Sequence, residues 1–510
     1  MSIVSFNFFF FIAGVVVLYY ILPVKARWSV ILIANIGFFL LSSTCKLLLV
    51  ALIPTLVTYI MAIIIDNLQA KKSREGLITL CKVVGILVDL SMLIAFKEID
   101  FFINTGNRIL NIFTDAQMHL ITGIVAPIGI SYFTLTLISY LLDSSWGLFR
   151  VQKNPLKFIA YILYFPTLTS GPIMRYSDVA NQIYEGNRFK YENVSYGVQR
   201  IVWGLFKKLV IADRMAIFVG AIHSGDYEGL YIFIGVICYA LQLYMDFSGC
   251  MDIVIGASEI IGIKLPENFN TPLFATNLSE YWRRWHMTLG NWVRDYVMNP
   301  LLKSKGMIKL GKKSKKKLGK KWGKKIPVWI GMFVTWFCVG FWHGGAWTFI
   351  LGSGLFFFLM IFTGQLLEPF WKWLIKILHI NTKSIIWITW QRIRTFVLFA
   401  VSISFSWANS IGDAIDMYKR GFNTFNLSIL IDGSLLEMGV DWKNWIVIII
   451  GLIIVLIVSN FQQKGMVRQM IASKNIAIRW VLYLALFFAV IIFGSYGMGY
   501  DASSFIYGAF

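Results

Sequence analysis

A chain of 510 residues that is 57% apolar and only 14% charged, with a mean hydropathy of +0.68, is excluded from the water-soluble globular class. Its 47 basic and 26 acidic residues leave a formal charge of +21. Much of that charge lies in one segment without interleaved stacking aromatics, which argues against a nucleic-acid-binding domain.

Apolar runs long enough to cross about 30 Å of hydrocarbon recur from end to end. The expected spans lie near 3–22, 29–43, 47–65, 80–96, 121–142, 197–221, 228–247, 327–362, 395–407, 445–459 and 480–496. The first is not read as a cleavable signal, because no basic residue precedes it and Lys25 and Arg27 follow it. The positive-inside rule then puts the N-terminus outside and Lys71, Lys72 and Arg74 in the cytoplasm. Lys464, Arg468, Lys474 and Arg479 precede the last span, so the C-terminus is also expected outside.

Between residues 120 and 300, glycine, proline and polar residues interrupt the apolar runs. The stretches 158–170, 250–263 and the one around residue 286 are read as broken or re-entrant helices, tolerated only where protein or a wet cavity surrounds them. Residues 303–325 (KSKGMIKLGKKSKKKLGKKWGKK) carry twelve lysines and no acid. They are expected to form a cytoplasmic loop that sets topology and contacts anionic headgroups or an acidic partner. Residues 409–443 read as an external loop or surface helix, and 497–510 as an extracytoplasmic tail. The five cysteines (45, 81, 238, 250 and 338) show no CxxC spacing, and no metal is implied.

His286 lies in YWRRWHMTLGNWVRDYV (281–297) and His343 in FWHGGAWT (341–348). Ionisable groups at membrane depth are costly and are functional candidates by default. Each histidine alone could be a packed helix-interface residue, but two within dense aromatic and glycine motifs point to chemistry. One of them would take a proton from a hydroxyl attacking an activated acyl carbon. The other would orient the acceptor or donate to the developing oxyanion. Trp282 and His286 stand four apart, so a helix would put both on one face. Arg283 would then point elsewhere, toward phosphate or a carboxylate. Asp246 and Asp252 sit in LQLYMDFSGCMDIVIG (241–256). Buried carboxylates need cations, and Arg283, Arg284 and Arg294 are the expected partners. Asp246 either orients an imidazole or belongs to a structural ion pair. No G-x-S-x-G elbow, Walker A motif or H-E-x-x-H competes.

Seven blocks in register resemble the membrane-bound O-acyltransferase (MBOAT) family, in its bacterial alginate O-acetylation branch. They are PIGISYFTLTLISYLLD, SGPIMRYSD, GLFKKLVIAD, DFSGCMDIVIG, PENFNTP (266–272), YWRRWHMTLGNWVRDYV and FWHGGAWT. The resemblance implies an all-α polytopic fold, a single transmembrane domain over 1–510, of about a dozen spans plus re-entrant helices around a central funnel and tunnel. It implies that His343, matching the family's second histidine, is catalytic, and that His286 matches the first. It further implies acyl transfer from a cytoplasmic thioester toward a hydroxyl, usually of acetyl destined for an exported polysaccharide. No tightly bound cofactor is expected, and the donor is acetyl-CoA or an acyl carrier protein. The expected partners are membrane lipid, an extracytoplasmic SGNH/esterase-like acetyltransferase and polysaccharide machinery, in a bacterial cell membrane. The tail FIYGAF (505–510) is similar to an aromatic ending of this branch, and Tyr507 is either a transient acyl carrier or an interfacial anchor. FSWAN (405–409) departs from the family pattern, because Trp407 stands where an arginine is expected. Two other readings stay open: export of D-alanine or another acyl group to a cell-wall polymer, and a transporter or polymer-export subunit without covalent chemistry.

Overall fold

The computed structural model describes residues 1–71, 75–114, 118–119 and 123–496. Among them the regular structure is helical. Among the described residues, eight helices are long and apolar enough to cross a membrane: Val24–Ser42, Cys45–Ala70, Glu75–Leu110, Leu230–Ile260, Lys325–Gly344, Thr348–Leu366, Trp442–Gln462 and Ile476–Phe493. Ile476–Phe493 is left almost wholly uncovered by protein, an apolar surface suited to lipid, whereas Leu230–Ile260 is mostly buried by its neighbours.

The described residues fall into two compact units, one of Met1–Trp203 with Cys250–Glu267, the other of Gly204–Gly249 with the chain from Asn268 on. In the first, Ser5 accepts a hydrogen bond from the Phe8 amide and Thr44 one from the Leu47 amide, capping the helices Phe6–Ile21 and Cys45–Ala70. The stretch 158–170 is broken as expected, into Pro155–Ile162 and Phe165–Leu168. Buried Asn35 satisfies the freed backbone, donating to the Ala160 carbonyl and accepting from the Phe165 amide, each at 2.9 Å. Gly197 and Gly256 let two helices touch backbone to backbone. A Cβ on either would lie 2.6 Å from the other's carbonyl oxygen. Arg200 sits beside this contact, donating to Asp252 at 2.9 Å and to Glu267 at 2.7 Å.

Leu230–Ile260 is one unbroken helix of 31 residues, although its glycines suggested an interruption after 247. Gly249 is used for packing instead, since a Cβ there would lie 2.8 Å from the Gly204 carbonyl oxygen. Conversely, the single run 327–362 is a hairpin of two helices, Lys325–Gly344 and Thr348–Leu366. Gly345 makes the turn at φ 46°, and Gly340 and Gly354 let the arms meet, with Cβ positions 2.7 and 2.8 Å from opposing carbonyls.

The lysine-rich stretch is not a loop. It forms the helix Lys305–Gly323, capped by Ser304 and broken at Gly319, and it folds back along the 325–344 helix so that Gly311 meets Pro327 and Gly323 meets Lys315. Met307 is buried while most of the lysines face out, an amphipathic division that stabilises helix where charge alone suggested loop. Lys372, then Lys325, hold the Glu368 carboxyl below the usual carboxylate range by hydrogen bonds, joining the open end of the hairpin to this basic surface. The 409–443 region contains the surface helix Ile411–Asn423, with Ala414, Met417 and Gly421 buried.

Candidate active site

His286 is placed by two backbone hydrogen bonds between residues 268–270 and 284–287. The Asn270 amide donates to the Arg284 carbonyl at 2.8 Å, and the Met287 amide donates to the Asn268 carbonyl at 2.9 Å. Asn277 caps the helix Leu278–Arg284, and the Glu280 carboxylate accepts from the Thr276 amide at 3.0 Å and from Arg284 at 2.8 Å. The helix stops there. Trp285 is extended and His286 adopts φ 43°, the left-handed region that a β-carbon disfavours, before Met287–Val293 begins. Trp282 and His286 therefore do not share a helix face as their spacing suggested, because the helix ends before one turn separates them. Trp282 turns into an aromatic cluster instead, its ring 4.8 Å from both Trp336 and Phe357.

His343 occupies the last turn of Lys325–Gly344, and the glycines after it serve the hairpin turn, Gly344 lying against the Phe349 ring. The two imidazoles come together with centroids 6.0 Å apart. His286 is 1% exposed and His343 8%. Phe247 stands edge-on to His286 at 4.9 Å, and Trp342 lies 5.9 Å from His286 and 5.0 Å from His343. Two positive charges so close in a buried aromatic shell would repel strongly.

The expected arginine–aspartate pairings are not formed. Asp246 takes Lys208 at 2.6 Å, and the same ammonium reaches Asp213 at 2.7 Å. Asp252 takes Arg200. Arg283 is exposed, Arg284 bonds Glu280, and Arg294 pairs with its neighbour Asp295 at 2.9 Å. These arginines lie on short helices whose outward faces offer solvent or nearer acids, whereas Lys207 and Lys208 are buried within a widened helical turn, Phe206–Ala212. Two lysines inside the apolar block GLFKKLVIAD were the signal for this partner. Sequence reasoning also left Asn268 without a role, although PENFNTP contains it. Trp407 stacks between Tyr239 and His223 at 5.4 and 5.5 Å. Tyr507 lies outside the described residues, as do Lys72 and Arg74.

A buried histidine pair on two elements of a polytopic helical protein narrows the families to compare. Residues 148–406 match the profile described as MBOAT, membrane-bound O-acyltransferase family, and this stretch contains both histidines. The chain belongs to that family. The match covers half of it, and with the apolar helices it makes this a multi-pass membrane protein. Among curated relatives, the "Probable alginate O-acetylase AlgI" of Azotobacter vinelandii is 32% identical over 268 residues, 52% of this chain and 50% of the relative. The "Peptidoglycan O-acetyltransferase" of Helicobacter pylori is 32% identical over 297 residues, 53% of this chain and 52% of the relative. The "Teichoic acid D-alanyltransferase" of Bacillus subtilis is 30% identical over 262 residues, 49% of this chain and 63% of the relative. The chain thus spans about half the length of the first two.

Proposed function

We propose that this protein moves an acetyl group from a cytoplasmic thioester donor, acetyl-CoA, across the membrane for O-acetylation of an exported polysaccharide, with His343 as the base. The observation that carries this reading is the buried pair of imidazoles 6.0 Å apart in one aromatic shell. In the step, an acceptor O–H gives its proton to the His343 imidazole while the oxygen attacks the thioester carbonyl. The tetrahedral adduct then collapses, the C–S bond breaks, and the leaving thiolate recovers the proton from the imidazolium. General-base assistance of this kind is worth about 10²–10⁴-fold. The helices favour this division of labour. A positive charge on His343 sits at the carbonyl end of a 20-residue helix, where cations are stabilised, whereas one on His286 would sit at the amide end of Met287–Val293.

In this reading the lysine-bearing helix and the Lys325–Glu368 end of the hairpin face the cytoplasm, and both chain termini face out. Tyr507 then receives the acetyl as a phenolic ester and passes it to a separate extracytoplasmic transferase, so that one transfer becomes two easier ones. Likeness to a teichoic acid D-alanyltransferase supports a second reading, D-alanyl transfer from a carrier protein. The test is the ester-linked acetyl and D-alanine content of the cell-surface polymers in cells carrying wild type or His343→Ala at matched membrane levels. Loss of acetyl at normal polymer yield is expected. Loss of D-alanine alone would favour the second reading, and unchanged esters of both kinds would reject acyl transfer by His343.

A further inference from the structure

The arrangement around Asn268 carries an inference that the family likeness does not. Asn268 is fully buried, and its side-chain oxygen is surrounded by donors. The Thr288 amide lies 3.1 Å away, the Thr288 hydroxyl donates at 2.9 Å, and His286 Nδ1 lies at 3.2 Å. A backbone amide can only donate, so the Asn268 atom facing it is the oxygen and not the nitrogen, which settles the orientation of the side-chain amide. An amide oxygen can only accept, so His286 Nδ1 must carry a hydrogen. In the neutral ring the hydrogen is then absent from Nε2, which presents a lone pair.

Two further observations say that this histidine is held for a purpose. His286 keeps φ 43°, a conformation that costs a non-glycine residue about 1–3 kcal/mol and persists only where neighbours enforce it. Asn268 enforces it from both sides, its backbone carbonyl accepting from the Met287 amide and its side chain taking the Thr288 amide. In addition, Asn268 Nδ2 is buried and has no hydrogen-bond partner among the described residues. An unmet buried donor costs about 1–3 kcal/mol, a burden without return for a purely structural asparagine, whereas a bound substrate can supply the acceptor.

We propose that Asn268 is a positioning residue that locks His286 in its Nδ1–H tautomer, so that Nε2 accepts a hydrogen bond from the hydroxyl being acylated. This rests on the acyl-transfer reading above and sharpens it. Of the two roles open to the second histidine, orienting the acceptor remains, and donation to an oxyanion is removed, because Nε2 has no hydrogen to give. His343 takes the proton, and His286 holds the hydroxyl that loses it.

Two substitutions test this in full-length protein reconstituted into lipid nanodiscs. Asn268→Asp keeps an oxygen toward Thr288 and His286 but adds a negative charge beside Nδ1. Asn268→Leu keeps the size and removes the acceptor. The ionisable groups on the elements around His286 are His343, then Asp246, tied to Lys208, and Arg284, tied to Glu280, with Arg283 exposed. The aspartate carboxylate would stand where the Asn268 oxygen now lies, 3.2 Å from Nδ1. Deuterium exchange at the imidazole Cε1–H, read by mass spectrometry at His286, gives its titration midpoint without reference to activity. In Asn268→Asp that midpoint should rise by about one unit or more, a tenfold change in proton affinity. The acid limb of the acyl-transfer profile should rise with it, leaving activity largely intact at high pH. Asn268→Leu should lose about 10²-fold or more in kcat with a smaller change in KM. An unshifted His286 midpoint in Asn268→Asp overturns the assignment whatever the activity. A shifted midpoint in a protein whose wild type transfers no acyl group keeps the tautomer and removes the acyl-transfer reading.

Discussion

Lys208→Met is the sharpest structural perturbation. The Lys208 ammonium is 2% exposed and touches two carboxylates, Asp246 at 2.6 Å and Asp213 at 2.7 Å, which are 1% and 10% exposed. At an effective dielectric of about 20, each contact is worth about 6 kcal/mol of Coulomb attraction, which the desolvation of three ions largely offsets. Methionine fills about the same volume but removes the ammonium that both carboxylates contact. Removing the shared partner of a buried pair costs about 3–5 kcal/mol. At about 2 °C per kcal/mol for a unit of this size, the apparent melting temperature should fall by about 6–10 °C. Asp246→Asn and Asp213→Asn each leave one ion pair intact, so each should cost about 1–3 kcal/mol. The assay is thermal unfolding in detergent, followed by tryptophan fluorescence, on all three variants. If Asp246→Asn melted as low as Lys208→Met, or if Lys208→Met melted as wild type, the reasoning that one lysine neutralises both acids would be refuted.

His343→Ala should abolish acyl transfer, a loss of about 10²–10⁴-fold, while leaving membrane level and thermal melting close to wild type, since a half-turn from the helix end tolerates alanine; retained transfer in vesicles supplied with a labelled thioester would count against it. Gly249→Ala should destabilise, because its Cβ would lie 2.8 Å from a backbone oxygen that cannot swing aside, and a melt unchanged from wild type would show that the two helices separate freely. Tyr507→Phe should lose polymer acetylation, with acetyl missing from the C-terminal peptide by mass spectrometry; full acetylation would leave only the interfacial-anchor role for that residue.

Hydropathy and motif order made the all-helical, multi-pass character and the family legible from residues alone. Lipid demands long apolar helices whatever their packing, and the seven motif blocks need only be read in order. The two histidines were legible for the same reason, being ionisable groups in apolar, aromatic surroundings. What composition could not supply was local geometry. The glycines at 249 and at 344–345 look alike in sequence, yet the first joins two helices and the second pair reverses the chain, because what decides is the backbone each glycine faces. Helical spacing put Trp282 and His286 on one face, but the pairing of 268–270 with 284–287 ends the helix before that face exists.

Partner choice was likewise beyond reach. Asp246 was visible as a buried acid, but arginines nearby in composition lost to Lys208, which lies 38 positions away in sequence and 2.6 Å away in space. Asn268 carried no signal of its own, since an asparagine in a proline-bounded loop reads as turn chemistry. Sequence alone determined what this protein is made to live in and which two imidazoles it must hide there. Only the tertiary structure decided which nitrogen bears the hydrogen, because that depends on an amide oxygen delivered to a 3.2 Å contact by a different segment of the chain.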